Sequence, residues 1–504
     1  MATSPTAQRG TSESRITRAR DAVRGWPSRV ALAARRPEIV VLGIVFLVGL
    51  VLRLYLFERW RPALVGFPDS AIYIEDALTG VFNNPLRVGG YSEFLRLMHG
   101  IRPHLSFVIF VQHLMGLASG LLLYGALRRF GLSGWVALVP AVVVILGGSE
   151  IFIEHAPLTE ALFIFLVDLS LYALSRVWAG RRPWGWALLA GLALGAAVDV
   201  RSVGLLLLPV LALAAALLAP ERPWRWRAAC GALVLVAALV PIEGYLIPHE
   251  EAQGYGGFTG AGYFDLYARV APFAECSKFH PPAGTAKLCI HIPRSQRPGH
   301  DVWEFTGLSP AVQAYGEPDI TPAKPEENSQ LRAFAEAAIL AQPLTYLEYV
   351  GRDLVRIVDP SFSSSPYGGV AAGGYGGDAQ HLMDYYFDTS NLAGIDPILA
   401  AYYPGDGSIH ENLGFLLSYE RDTRVEGPFM ALLLVLALLA PILTRGRERR
   451  AALLLGLATV VLLAGPIFTS EYDYRFTIPA FGPLAATAAI GGWALGRRLL
   501  SARH

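Results

Sequence analysis

The chain has 504 residues, 53% of them hydrophobic and only 16% charged, with a mean hydropathy of +0.40. That is too apolar and too long for one soluble domain, and it selects the polytopic membrane class. A net charge of +1 offers no basic field for nucleic acid; the charged residues are instead sorted between loops, and the sorting carries the information.

Residues 1–37 are rich in Ser, Thr and Arg and form a segment ahead of the first apolar run. No small-residue cleavage site closes that run, so it reads as a retained helix. Runs long enough to span a bilayer, roughly 17 to 25 residues, follow near 38–57, 105–127, 134–149, 157–178, 184–199, 203–219, 228–247, 427–444, 451–469 and 477–496. The expected fold is therefore all-α and polytopic with about ten transmembrane helices. Seven spans and their outer loops occupy 38–247, three more occupy 427–496, and 497–504 is a tail.

Arg and Lys in short loops stay cytoplasmic. Arg gathers before the first span (Arg18, Arg20, Arg24, Arg29, Arg35, Arg36), then at Arg128 and Arg129, Arg181 and Arg182, Arg222, Arg225 and Arg227, Arg445 to Arg450, and Arg497 and Arg498. Every second loop is basic, so both termini are expected inside. The loops 58–104, 149–156, 199–202, 248–426 and 470–476 then lie outside, although 58–104 carries five Arg residues beside its acids.

The stretch 248–426 reads as an extracytoplasmic α+β or irregular domain. It is rich in Gly, Pro and aromatic residues, and the pairs Gly368-Gly369 and Gly373-Gly374 are turn signals. Between Gln330 and Val358, apolar residues recur at helical spacing with Pro343 in the middle, which predicts one helix or two, lying on the membrane or packed on the spans. Cys276 and Cys289 either close a disulfide in an oxidising compartment or stay as free buried thiols. Trp303, Phe305, Tyr367 and Tyr375 either stack on sugar rings or pack the domain's own core.

Ionisable residues in or at the ends of spans are costly and hence candidates for function. With this orientation Asp69, Glu150, Glu154, His155, Asp199, Arg201, Glu471, Asp473 and Arg475 all fall at outward span ends, as helix caps or as the lining of one shared pocket. Asp199 is a possible partner of Arg201.

Asp69 opens a helical run with Tyr73 one turn on, so both face the same way. Arg102-Pro103-His104 precedes the second span, Glu154-His155 the fourth, Arg201 an apolar run, and Tyr474-Arg475-Phe476-Thr477-Ile478-Pro479 opens the last. This pattern resembles the C-type glycosyltransferase superfamily (GT-C), in particular the branch of protein O-mannosyltransferases and the lipid A aminoarabinose transferase, over roughly residues 38–220 and 427–496. Many members of that branch carry two adjacent acids in the first outer loop; here Ser70 fills the second place.

The resemblance implies an enzyme of a bacterial plasma membrane that moves a sugar from a polyprenyl-phosphate donor, with inversion, to a hydroxyl of an envelope glycan, lipid or protein. Its expected partners are that donor, that acceptor and membrane lipids. Asp69 is the expected general base, in the raised-pKa state that a dry cavity gives a carboxylate. Arg201 and Arg475 are expected to hold the lipid phosphate. Tyr73, His104, Glu150, Glu154, His155 and Tyr474 are expected to line the substrate site, and Asp69, Glu154 and His155 are the residues suited to a divalent cation, Mg or Mn. A flippase of lipid-linked sugars and a noncatalytic envelope assembly factor are the competing functions; the absence of an internal repeat weighs against the former.

Overall fold

The structure, a computed structural model, describes residues 36–179, 182–217, 219–259, 262–318, 324–359, 387 and 392–502. Arg18, Arg20, Arg24, Arg29, Arg35, Arg181, Tyr367, Tyr375 and the two glycine pairs lie outside the described residues.

The membrane part runs through α1 (Pro37–Arg59), α2 (Pro68–Thr79), α3 (Gly90–Ile101), α4 (Leu105–Arg129), α5 (Gly134–Leu146), α6 (Gly148–Glu154), α7 (Thr159–Ala179), α8 (Pro183–Val200), α9 (Leu207–Leu217) and α10 (Trp224–Gln253). The connecting region holds α11 (Gly262–Val270), α12 (His300–Phe305), α13 (Pro310–Tyr315), α14 (Pro325–Ala341), α15 (Pro343–Arg356), α16 (Leu392–Tyr402) and α17 (Gly414–Thr423). The chain then returns through α18 (Gly427–Leu443), α19 (Gly446–Thr469), α20 (Tyr474–Thr477) and α21 (Phe481–Ser501). Proline stands at the first turn of α1, α2, α8, α13, α14 and α15, where its missing N–H costs no helical hydrogen bond.

Among the described residues eight helices are long and apolar enough to cross a membrane. The α5–α6 pair, bent by 50°, makes a ninth, and the apolar helix Ser202–Leu217 accounts for the remaining expected run. In a bilayer the hydrophobic effect does not drive helices together, and close backbone packing does more of the work. Gly195 shows this: a Cβ there would lie 2.2 Å from the Ala238 carbonyl oxygen, so α8 rests directly on α10.

The described residues of 248–426, called the outer region after its expected side of the membrane, form helices joined by irregular chain around a core of Phe264, Tyr267, Phe273, Trp303 and Phe334. Trp303 is fully buried there and donates its indole N–H to Pro298, and Phe305 packs against the same core. Cys276 and Cys289 are joined in a disulfide. The predicted break at Pro343 separates α14 from α15. The Tyr346 hydroxyl of α15 donates to the Phe468 carbonyl at 2.7 Å, which docks α15 on the C-terminal end of α19.

Two long-range ties fix this region over the membrane part. The strand β1 (Trp60–Arg61) pairs antiparallel with β2 (Ile409–His410), Trp60 opposite His410. Asp406 caps α4, accepting from the Leu105 and Ser106 amides and, at 3.0 Å, from the Ser106 hydroxyl.

Candidate active site

Asp69 sits in the first turn of α2, where the helix N-terminus favours a carboxylate. Its Oδ1 accepts from Arg87 Nη2 at 2.6 Å and its Oδ2 from Arg475 Nη2 at 2.9 Å. Burial pushes the carboxyl up, but the guanidinium groups of Arg87 and Arg475 outweigh it and hold Asp69 well below the usual carboxylate range. This corrects the sequence expectation of a raised pKa: the cavity that excludes water also supplies two cations. Tyr73, one turn on, is pushed up to about 12 by burial and by the Asp69 charge, so its phenol stays a neutral donor.

Arg475 is the second residue of α20, and its own amide donates to Asp473 Oδ1 at 2.8 Å. Its Nε lies 3.2 Å from Glu160 Oε1, and the same oxygen pairs with Arg201 Nη1. Arg201, which ends α8, also donates to the Thr159 hydroxyl at 3.0 Å. Its Nε and Nη2 form no hydrogen bond among the described residues, so much of the fork is free for another anion. Phe476 stacks against both Arg201 and Arg475. Thus α2, the loop before α3, α7, α8 and α20 bring Asp69, Arg87, Glu160, Arg201 and Arg475 into one charged cluster.

Beside it a cleft of about 680 Å³ opens between α3, α7, α8 and α10, with Leu162, Leu166, Ala196 and Pro241 as apolar lining and Glu93 and Arg96 of α3 also facing it. Asp199 faces this cleft with Oδ1 unpaired. The expected Asp199–Arg201 pair does not form, because Arg201 turns to Glu160.

The other predicted residues lie elsewhere. Glu154 is a buried partner of Arg53, two parallel bonds of 2.7 Å, and lies 2.9 Å from His113. His155 sits between His113, at 2.9 Å, and the Trp60 carbonyl, at 2.8 Å. Both are therefore occupied inside the helix bundle. Asp69, Glu154 and His155 do not gather into a cation site, because two of the three are committed to this network.

Glu150 is buried with both carboxylate oxygens lacking a hydrogen bond. The Tyr474 hydroxyl meets Ser149 Oγ at 3.0 Å, and Ser149 donates to Glu420. His104 pairs with Asp406 at the start of α4. Glu471 turns to His300.

Sequence reading missed Arg53, Arg87, His113 and Glu160. Arg53, His113 and Glu160 stand inside the apolar runs 38–57, 105–127 and 157–178. The rule that an ionisable residue in a span is functional by default flags each of them.

The fold and site thus define a polytopic helical membrane protein with a buried carboxylate–guanidinium cluster at one end of its spans. Residues 104–246 match the model of the dolichyl-phosphate-mannose-protein mannosyltransferase family, which falls within the branch that the sequence resembles. The matched segment includes Glu160 and Arg201 and stops short of Asp69 and Arg475. No curated protein matches the chain.

Among solved structures, the chain is similar to the S. cerevisiae protein O-mannosyltransferase Pmt1-Pmt2 complex bound to the sugar donor, with 18% identity over 46% of this chain and 36% of that one and a TM-score of 0.36. It is also similar to the Archaeoglobus fulgidus oligosaccharyltransferase AglB in complex with an inhibitory peptide and a dolichol-phosphate, with 12% identity over 93% and 52% and a TM-score of 0.43. The ArnT of Cupriavidus metallidurans bound to undecaprenyl phosphate gives 16% identity over 91% and 77% and a TM-score of 0.32. The chain spans 36% to 52% of the length of the mannosyltransferase and oligosaccharyltransferase chains.

Proposed function

We propose that the chain is an integral membrane glycosyltransferase that moves a sugar from a polyprenyl-phosphate donor to a hydroxyl of an envelope glycan, lipid or protein on the outer face, with inversion. One observation carries this reading: Asp69 shares Arg475 with Glu160, and Glu160 shares its oxygen with Arg201, so a base and two phosphate-binding groups stand within one ion-paired cluster. The family-model match supports the same class of reaction.

In the reaction the acceptor oxygen forms a bond to the anomeric carbon. The bond from that carbon to the phosphate oxygen breaks, its electron pair leaves on the phosphate, and the acceptor proton passes to Asp69. Arg201, with part of its fork uncommitted, and Arg475 bind the phosphate and stabilise the charge that develops on it. The apolar cleft beside Arg201 suits an isoprenoid tail. A strongly ionised Asp69 is a weak base in the resting site. Donor phosphate relieves this by competing for Arg475, which returns proton affinity to the carboxylate when the donor is bound. Both termini lie in the cytoplasm, and the 248–426 region outside selects the acceptor.

The test is release of polyprenyl phosphate by purified protein from polyprenyl-phosphate mannose and polyprenyl-phosphate arabinofuranose. Asp69→Asn is expected to lower turnover by roughly 100-fold or more while donor binding persists. Arg201→Ala is expected to weaken donor binding by roughly 10- to 100-fold, the worth of one charge-assisted contact. Turnover unchanged in Asp69→Asn removes the base from the mechanism.

A further inference from the structure

The loop between α19 and α20 meets the outer region at α12. There His300 is 5% exposed and sits among four acids. Its Nε2 lies 3.1 Å from the Asp265 carbonyl oxygen and 3.4 Å from the Ser470 hydroxyl. A carbonyl only accepts, so Nε2 carries the proton, and in the neutral ring Nδ1 is left with a lone pair.

That Nδ1 makes no hydrogen bond. It faces Glu304 Oε2 at 3.6 Å, Asp301 Oδ1 at 3.7 Å and Glu471 Oε1 at 4.0 Å. A buried acceptor aimed at three carboxylate oxygens is repelled by all of them. The distances exceed the roughly 3.2 Å reach of a hydrogen bond, so Nδ1 has no hydrogen-bond partner there, whereas a cation bound to it uses the lone pair and balances the carboxylates. Ligands about 2.1 Å from a metal stand about 3.4 Å apart at tetrahedral angles, close to the spacing found here.

We propose that His300, Asp301 and Glu471, whose ligand atoms lie within 4.8 Å of one another, hold one divalent cation, with Glu304 and Asp265 beside them. One imidazole nitrogen among carboxylates suits Zn²⁺ or Mn²⁺. An imidazole that donates its second nitrogen to a carbonyl is the usual posture of a metal-bound histidine. The cation ties α12 of the outer region to Glu471, two residues before the Asp473 cap and four before Arg475. Its role is to position the arm that carries Arg475, and it borders the Asp69 cluster through Arg87, whose charge interacts with Glu304.

The experiment uses the full chain, purified in detergent, stripped with chelator and dialysed against Zn²⁺ or Mn²⁺ alone, with bound metal counted by mass spectrometry. Wild type is expected to take up about one equivalent of at least one of the two metals and to unfold at a higher temperature with it. His300→Ala and the less buried Asp301→Asn are each expected to lower the affinity by roughly 100-fold or more, since even supporting residues contribute 10- to 100-fold. Should His300→Ala fail to fold, Asp301→Asn carries the test. Folded wild type that binds neither metal, or uptake unaffected in a folded variant, overturns the site. The readout is metal content, so it is independent of the reaction proposed above.

Discussion

Arg201 and Arg475 share a single oxygen, Oε1 of the fully buried Glu160. One carboxylate thus keeps two guanidinium groups from α8 and α20 together where their mutual repulsion would separate them. Glu160→Gln removes the shared counter-charge and leaves both cations facing each other. We expect a stability loss of roughly 3–5 kcal/mol, the usual cost of breaking a buried pair, read as a lower unfolding temperature in detergent. Polyprenyl phosphate is expected to raise that temperature more in the variant than in wild type, because the added anion restores the missing charge. Equal ligand shifts in both proteins argue against a phosphate site at these two arginines.

The Arg53–Glu154 pair is a second buried device. Arg53 also donates to the Gly49 and Ile145 carbonyls, at 3.1 and 2.6 Å, and the Glu154 carboxyl occupies the space that a Cβ on Gly116 would need. A double-mutant cycle with Arg53→Met and Glu154→Gln is expected to give a coupling energy of about 1–3 kcal/mol in chemical or thermal unfolding. Each single variant should be less stable than wild type, because each leaves one polar partner buried alone. Additive effects show that the two residues act independently.

Two acids of α2 are displaced in opposite directions, which separates their pH behaviour. Burial, and then the charge of Glu75, push Asp76 up to about 7, whereas Asp69 is held low. Between the unfolded carboxyl value near 3.9 and about 7 the folded chain holds the Asp76 proton that the unfolded chain has lost. Stability is therefore highest below about pH 4 on account of this group, falls as the pH rises to about 7, and is flat above. Asp76→Asn removes that loss. It is expected to stabilise the protein at pH 8, by up to roughly 4 kcal/mol, and to change little at pH 4. A stability difference that does not vary with pH counts against a protonated Asp76.

The Cys276–Cys289 disulfide closes a loop with a sequence separation of 13. Loops of this size are stabilised by about 3 kcal/mol when cross-linked. The Cys276→Ser/Cys289→Ser pair is expected to lower the stability of the 248–426 region by that order, measured by limited proteolysis. In intact cells, an impermeant thiol reagent should label these two cysteines only after an impermeant reductant has been added. Labelling without reduction contradicts the oxidised, outward placement.

Much of the membrane architecture was legible, because a bilayer demands long apolar runs and the ten expected segments correspond to eight long helices, one bent pair and one short helix. Asp69, Arg201 and Arg475 stood out for a related reason: charge at the end of an apolar run is conspicuous. What holds them together was hidden. Glu160 reads as one polar letter inside an apolar stretch, and Arg87 as one more loop charge. Glu154 and His155 looked like end caps, although their partners Arg53 and His113 come from two earlier helices, and no local pattern encodes such pairing. The outer region was hidden most of all, since its ties run from Asp406 to Leu105 and from His410 to Trp60 across some three hundred residues.

Those two ties lie only four positions apart in the returning chain, and this sets where the molecule tolerates change in length. An epitope or fusion grafted into the stretch from Asp406 to His410 would unfasten the doorway of the second crossing and the first outer loop together. Inside the cystine ring Phe279 and Leu288 pack on that region's own core, but Ala283 between them is exposed, and a handle for imaging or capture grafted there leaves both fastenings in place.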